Sequence, residues 1–551
     1  MDFNTISKFN RFKDIVLILF KYGFGDIIGR LDLQDKVLPL RIRKTSTTRY
    51  TTWERIRMAI EELGPTFVKL GQLLSLRPDL IPLPLIRELS KLQDAVPPEN
   101  FSEIQKQLES SLGKPLQEVF SEFESTPLAA ASLAQVHRAQ LAANQEVVAV
   151  KIQRPGIKST INTDLNILAG LAKRVHERVE SMQVYDLPLL VQEIRRLLQQ
   201  ELDFEKEGRN IRLAQANFQD HPYLRLPKVY MEYSDPKLLI MELIRGKKLK
   251  DIQELPQEEK KLLAQNGIQV SLQQILQDGF FHADPHPGNI LVLQQASFSL
   301  LDWGMVGRLT PSTRFKLITL IEALVDKDSE TVLHVLLSLS SQDQPVQKEV
   351  LHREIMDILD DFHSVPLKEL DLGHLLSDLT NILQQHRIRL SSELAIMIKA
   401  LVTSEGTARF LYPDLNIVAE AEPFVRELAL QKYAPKNLWR YIKHNLSNLL
   451  QLQQELPGQI NQILTKMTQG ELSIGFQHKG LEDMRQTLNH IANRITLGLI
   501  TAAMIISSSM IITTGVDPLL FGYPALGLVG YLLSACVAIW VIIDIFRRRK
   551  R

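Results

Sequence analysis

The chain has 551 residues, 45% of them apolar and 23% charged, and a net charge of +1 from 64 Lys and Arg against 63 Asp and Glu. That length corresponds to roughly three to four domain-sized units, and the balance is globular, which excludes disordered, collagenous and disulfide-rich classes. Without a basic excess there is no electrostatic case for a nucleic-acid partner, and the lone Cys536, inside an apolar run, excludes an internal disulfide and argues against a catalytic thiol.

Residues 1–50 contain Ile15-Val16-Leu17-Ile18-Leu19-Phe20, a short apolar run flanked by Lys13, Asp14 and Lys21. It lacks a small-residue cleavage pattern and reads as an N-terminal amphipathic segment lying on a surface. Residues 51–120 form a helical extension with a break at Gly64-Pro65, where a new helix can start. The helix expected over 65–76 puts Phe67, Leu70, Leu73 and Leu74 on an apolar face and Lys69 and Gln72 together on another. Residues 121–245 make a smaller β-containing lobe, with β-rich runs at 147–152 and 238–244 and a long helical stretch over 160–218 between them. Residues 246–490 make a mostly helical lobe. Within it, two apolar runs around Gln294-Gln295-Ala296 predict a β-hairpin, and Leu446, Leu449, Leu450 and Leu452 at helical spacing read as core, with a membrane-facing helix as the alternative. Residues 495–545 hold two uncharged runs, 495–516 and 518–543, about long enough to span a bilayer. The turn-rich Asp517-Pro518 break between them predicts a transmembrane helical hairpin, against the alternative of two buried core helices. Arg494 and the basic end of the chain place both flanks, and with them the large soluble part, in the cytoplasm.

The chemistry concentrates in Phe281-His282-Ala283-Asp284-Pro285-His286-Pro287-Gly288-Asn289, followed by Asp302-Trp303-Gly304. Phosphoryl transfer needs one carboxylate to orient the nucleophile. It also needs an amide oxygen and a second carboxylate to hold Mg²⁺ against the phosphates. Asp284, Asn289 and Asp302 are those types, at the spacing of the protein-kinase pattern H-x-D-x-x-x-x-N and then D-x-G. Alternating His282, Asp284 and His286 leave a transition-metal site open as an alternative, and a proline-rich structural loop as another. Upstream, Val148-Ala149-Val150-Lys151 matches the strand that presents a phosphate-binding lysine. Such a lysine needs a carboxylate partner, for which Glu207 is the candidate, with a solvated helix acid as its bland reading. The Met241-Glu242-Leu243 segment occupies the position of a hinge, where Glu242 and Leu243 would meet adenine.

This ordered set resembles the UbiB/AarF family of atypical kinase-like proteins, from about residue 50 to the C-terminal hairpin. Lys69-Leu70-Gly71-Gln72 is similar to its K-x-G-Q motif, Glu201-Leu202-Asp203 to its E-x-D, and Ala129-Ala130-Ala131-Ser132 to the alanine-rich loop that replaces a glycine-rich one. The resemblance implies an α+β, protein-kinase-like bilobal fold with an N-terminal helical extension and a C-terminal transmembrane hairpin. ATP and Mg²⁺ would bind in the cleft. The Lys69 helix would pack over that cleft, with Lys69 reaching Glu201 or Asp203; those two acids, two apart on one helix, would not share a face. Ala129, Ala130, Ala131 and Ser132 would cover the nucleotide. Alanines lack the positive-φ freedom of glycines, so ordinary protein phosphorylation fits poorly. The resemblance further implies an ATPase or a kinase of small or lipid-like substrates that supports ubiquinone or plastoquinone formation, with membrane lipid and a prenylquinone precursor or quinone-biosynthesis proteins as partners. The rivals are a nucleotide-binding scaffold without chemistry, which recruits such enzymes, and a protein kinase.

Overall fold

The computed structural model describes residues 3–30, 50–77, 80–92, 96–179, 186–252, 254–342, 346–364, 372–386, 388–432, 481–515, 517–521 and 523–548. They fall in two compact units, Met1–Arg440 and Tyr441–Arg551. The expected helix around 446–452 lies outside the described residues.

In the first unit, the N-terminal helix Phe3–Lys21 differs from the surface-lying segment expected. Its apolar side is taken up by protein: Ile15 and Val16 are fully buried with Ile60, Leu63 and Ile161, and Arg11 meets Asp164 at 2.8 Å. The next two helices follow local rules. Thr51 and Glu54 form a capping box on Thr52–Leu63. Gly64, at φ +99°, ends that helix, and Pro65 starts Pro65–Ser75. Phe67, Leu70, Leu73 and Leu74 are all buried, so the apolar face falls where the spacing puts it.

The sheet is antiparallel, in the order β1(Phe120–Phe123), β3(Ala134–Leu141), β4(Val147–Gln153), β5(Leu238–Glu242), with β2(Ala129–Ala130) also on β3. Lys151 lies mid-sheet, opposite Val136 on one side and Leu239 on the other. The helical stretch expected over 160–218 is three helices: Ile157–Arg178, Leu187–Glu201 and Phe204–Asn217. Asp side chains divide it. Asp186 caps the second helix by accepting from Leu189 N–H, and Asp203 caps the third by accepting from Lys206 N–H. Glu201 and Asp203 therefore flank a helix junction and do not share one helix.

Below the sheet, β7(Phe280–His282) pairs with β10(Val306–Arg308). Between them β8(Ile290–Val292) and β9(Phe298–Leu300) form the expected hairpin, turned by Gln295 and Ala296 at positive φ. Helices Gln257–Leu272, Pro311–Val325 and Ser392–Leu411 pack around this centre in one apolar core that includes Trp303 and Phe281.

In the second unit, Leu481–Thr514 and Ala525–Arg548 pack together through small residues. A Cβ on Gly527 would meet Ile512, and one on Gly530 would meet Ser508. Among the described residues one helix, Ile495–Thr514, is long and apolar enough to cross a membrane, and Ala525–Ile539 is a shorter apolar stretch. Of the two spans expected from the sequence, this supports one. Leu519–Leu520 and Tyr523–Pro524 pair as short strands, and the second helix starts only at Ala525.

Candidate active site

The site is built where β4, three helix ends and the β7–β10 loops meet. Lys151 Nζ lies 2.8 Å from both carboxylate oxygens of Glu207 and 3.3 Å from Asp302 Oδ1, and it sits over the Phe204 ring at 5.1 Å. Glu207 is presented by the first turn of the helix that Asp203 caps, and it is 2% exposed. Gly208 lets that helix approach the sheet, because a Cβ there would meet Met231, Leu239 and Val229 at 2.9–3.3 Å.

A second pair stands beside the first. Lys69 Nζ reaches Glu201 Oε2 at 3.1 Å. Gln72 Nε2 donates to Leu92 O, and a Cβ on Gly71 would lie 2.4 Å from Leu92 Cδ1. Residues Lys69, Gly71 and Gln72 thus seat the helix and deliver one cation. Gly304 holds the other wall, where a Cβ would sit 3.2 Å from Asp302 Oδ1 and 3.5 Å from Glu201 Oε2.

Asp302 has φ +58°, in the left-handed region, which costs a non-glycine residue energy. Its neighbours impose that conformation. Trp303 is fully buried, and its indole N–H donates to Leu300 O. Asn210 Nδ2 donates to Trp303 O at 2.9 Å, so the helix carrying Glu207 also clamps the Asp302 turn. Asn210 escaped the sequence reading. Its signal was a polar residue three positions after Glu207 on the same helix face.

In the Asp284 loop, His282 Nε2–H donates to Leu301 O at 2.8 Å and His282 Nδ1 accepts from Asp284 N–H at 3.1 Å. Both ring nitrogens are occupied by backbone, and burial lowers the imidazole pKa, so His282 is a neutral brace and not a metal ligand. Among the described residues no group of three or more His, Cys, Asp or Glu side chains is placed to hold a metal ion. Asn289 Nδ2 donates to Asp284 O at 3.2 Å, and Leu301 N–H donates to Asn289 O. The amide is thus oriented with its Oδ1 turned away from Asp284 O.

Other expected residues have structural partners. Asp203 contacts Lys206 N and Arg209, on the helix it opens. Ala131 O accepts from Arg154 Nε and Ala131 N–H donates to Ala134 O, so the alanine loop is a tight turn tied to β4. Ser132 is fully buried in it. Glu242 N–H donates to Lys228 O and Leu243 N–H to Val147 O, while the Glu242 side chain pairs with Arg225. Both amide donors expected to meet adenine are engaged inside the lobe.

Burial would lower the Lys151 pKa, but the Asp302 and Glu207 carboxylates raise it above the ordinary value. Lys151 in turn holds Asp302 well below the usual carboxylate range. Burial pushes Glu207 up to about 7 and raises Glu201, against the pull of Lys151 and Lys69. Three carboxylates thus surround two ammonium groups, and Asp302, held ionised, keeps 40% of its side-chain surface open. An oxygen-lined spot with an accessible carboxylate suits a hard cation such as Mg²⁺.

Comparison with known proteins identifies the family. Residues 91–336 match the ABC1 atypical kinase-like domain, 355–416 the UbiB helical domain, and 479–547 the ABC1/UbiB kinase-like C-terminal domain. The chain belongs to the ABC1/UbiB family of atypical kinase-like proteins. It is 32% identical to an "Uncharacterized protein in hydrogenase 1 5'region" of Clostridium pasteurianum, over 98% of each chain. It is 34% identical to a "Probable protein kinase UbiB" of Cellvibrio japonicus, over 79% of this chain and 80% of that one. Among solved structures, the Rv3197–erythromycin complex of Mycobacterium tuberculosis matches 66% of this chain and 89% of that chain, at 23% identity and a TM-score of 0.46.

Proposed function

We propose that the chain is a membrane-anchored, kinase-like ATPase that binds Mg-ATP between Lys151 and the Asp284–Asp302 loops. The observation that carries this reading is the contact of Lys151 with both Glu207 and Asp302, from three distant parts of the chain. Lys151 binds the inner phosphates and Glu207 fixes its ammonium. Asn289 Oδ1 and Asp302 would hold Mg²⁺, which would neutralise charge on the phosphates. Asp284 orients the attacking oxygen, from water or from a small or lipid-like acceptor. Lys69 and Glu201 stand at the same cleft, so the K-x-G-Q helix occupies space that a peptide acceptor would need; this favours ATP hydrolysis or small-molecule phosphorylation over protein phosphorylation. The alanine turn, with Ala129, Ala130, Ala131 and Ser132, covers the nucleotide. Adenine meets carbonyls of the 242–243 segment, since the amides there are engaged.

The apolar Ile495–Thr514 helix and its packed partner anchor the chain in a membrane, with the kinase-like unit on the cytoplasmic side. We read the role as support of ubiquinone or plastoquinone formation, which the resemblance to the UbiB family implies. Its partners would be membrane lipid and a prenylated precursor or the enzymes that process one.

Phosphate release by the full-length protein in liposomes, with ATP and Mg²⁺, tests the reading. Asp302→Asn should cut turnover by about 10²- to 10³-fold or more. Unchanged turnover in that variant removes the metal-binding role. Nucleotide binding without any turnover returns the scaffold reading.

A further inference from the structure

The helix Ser392–Leu411 lies inside the stretch that matches the UbiB helical domain, and one of its faces runs along the site. Near its start, Ser392 Oγ accepts from Arg77 Nη2 at 2.9 Å, just past the Lys69 helix. Near its end, Thr407 Oγ1 donates to Pro285 O at 3.3 Å, inside the Asp284 loop. Lys399 lies between them, on the stripe of Ser392 and about 80° round the helix from Thr407. It is partly buried, and Asp284 is the charged group that acts on it: burial lowers its pKa and the Asp284 field raises it.

Lys399 differs from the site's other two lysines. Lys151 is held by Glu207 and Asp302, and Lys69 by Glu201. Among the described residues, no carboxylate lies within ion-pair distance of Lys399. A partly buried ammonium without a counter-ion is a costly arrangement, and it is explained if an anionic ligand supplies the missing charge. Asp284 orients the attacking oxygen, so a cation facing Asp284 stands where the phosphoryl group under attack must sit. Lys151, on the far side at Asp302, is left for the inner phosphates.

We propose that Lys399, extended from the helical-domain helix toward the Asp284 loop, binds the terminal phosphoryl group of the nucleotide. The inference rests on the ATP reading above and deepens it. The helical domain then contributes a side chain to the cleft, in addition to supporting the lobe.

Calorimetric titration of the full chain in detergent tests this, with Mg²⁺ and either ADP or a non-hydrolysable ATP analogue. Lys399→Gln should weaken the ATP analogue by about 10- to 100-fold, the scale of one charge-assisted hydrogen bond, and leave ADP affinity within about twofold. Lys399→Arg should recover most of the loss. Retained ADP affinity doubles as the control for folding. If Lys399→Gln weakens both nucleotides equally, or neither, the assignment of Lys399 fails while the ATP reading stands. If the unaltered chain binds neither nucleotide, the ATP reading fails and takes this inference with it.

Discussion

Two lysine–glutamate pairs flank Asp302, and they are built differently. Lys151–Glu207 joins a central strand to the helix beneath it, with 15% and 2% of the side chains exposed and two 2.8 Å contacts. Lys69–Glu201 joins the N-terminal extension to the end of another helix, at 14% and 9% exposure, with a nearest contact of 3.1 Å. Lys151 touches Asp302 at 3.3 Å, and the charge of Lys69 also acts on Asp302. Both pairs keep charge in a buried place, but the first belongs to the phosphate-binding strand and the second to a helix added to the kinase-like core. A cleft can thus gain a second cation without changing its sheet, by packing one more helix against it.

The largest test of this difference is a double-mutant cycle on turnover. Lys151→Met should lower kcat/KM for ATP by about 10²-fold and Lys69→Met by about 10-fold. Because both act on Asp302, the double variant should fall short of the product of the two losses. Equal single effects, or simple multiplication, would break the asymmetry. A smaller test bears on the helices that deliver the pairs. Gly208→Ala drives a Cβ against three side chains, and Gly71→Ala drives one mainly against the far end of the Leu92 side chain. Overpacking of about 1–3 kcal/mol, less the gain in helix propensity of about 1 kcal/mol, predicts a lower thermal midpoint for Gly208→Ala and little change for Gly71→Ala. The reverse order would mean that the added helix is the more tightly seated of the two.

The two pairs were not equally legible in the sequence. Lys151 lies in a β-rich run, and a partly enclosed lysine there needs an acid, so the first pair is suggested by residue type and order. The second needed the family motif, because nothing local in 69–72 says which distant acid it meets. Glu201 and Asp203 were read as one helix, since hydrophobic spacing continues through both. The Asp203 side chain competes for Lys206 N–H and starts a new helix instead, which separates a buried acid from a capping one. Asn210 and Lys399 owe their places to the tertiary structure. The first needed the knowledge that Glu207 faces inward. The second comes from a helix far along the chain, whose orientation is set by long-range core packing and by bonds to Arg77, Ser271 and Pro285. At the C-terminus, hydropathy marks two long runs, and strand pairing at 519–524 delays the start of the second helix to Ala525. A composition window does not register that backbone bond.

The smallest effect concerns pH, and it separates holding a charge from tolerating it. Burial raises the Glu207 carboxyl from 4.5 to about 7. An acid whose pKa is higher folded than unfolded binds protons more tightly in the folded state. Its stabilising contribution is therefore complete below about 4.5 and is lost as pH rises through about 7. Function should run the other way, because only the ionised carboxylate fixes Lys151. Turnover should climb as pH rises through about 7 while the thermal midpoint loses this contribution, and Glu207→Gln should flatten both curves. A turnover profile that keeps its rise near pH 7 in Glu207→Gln would assign the titration to another group, and the Lys151–Glu207 pair would then be as passive a support as its neighbour.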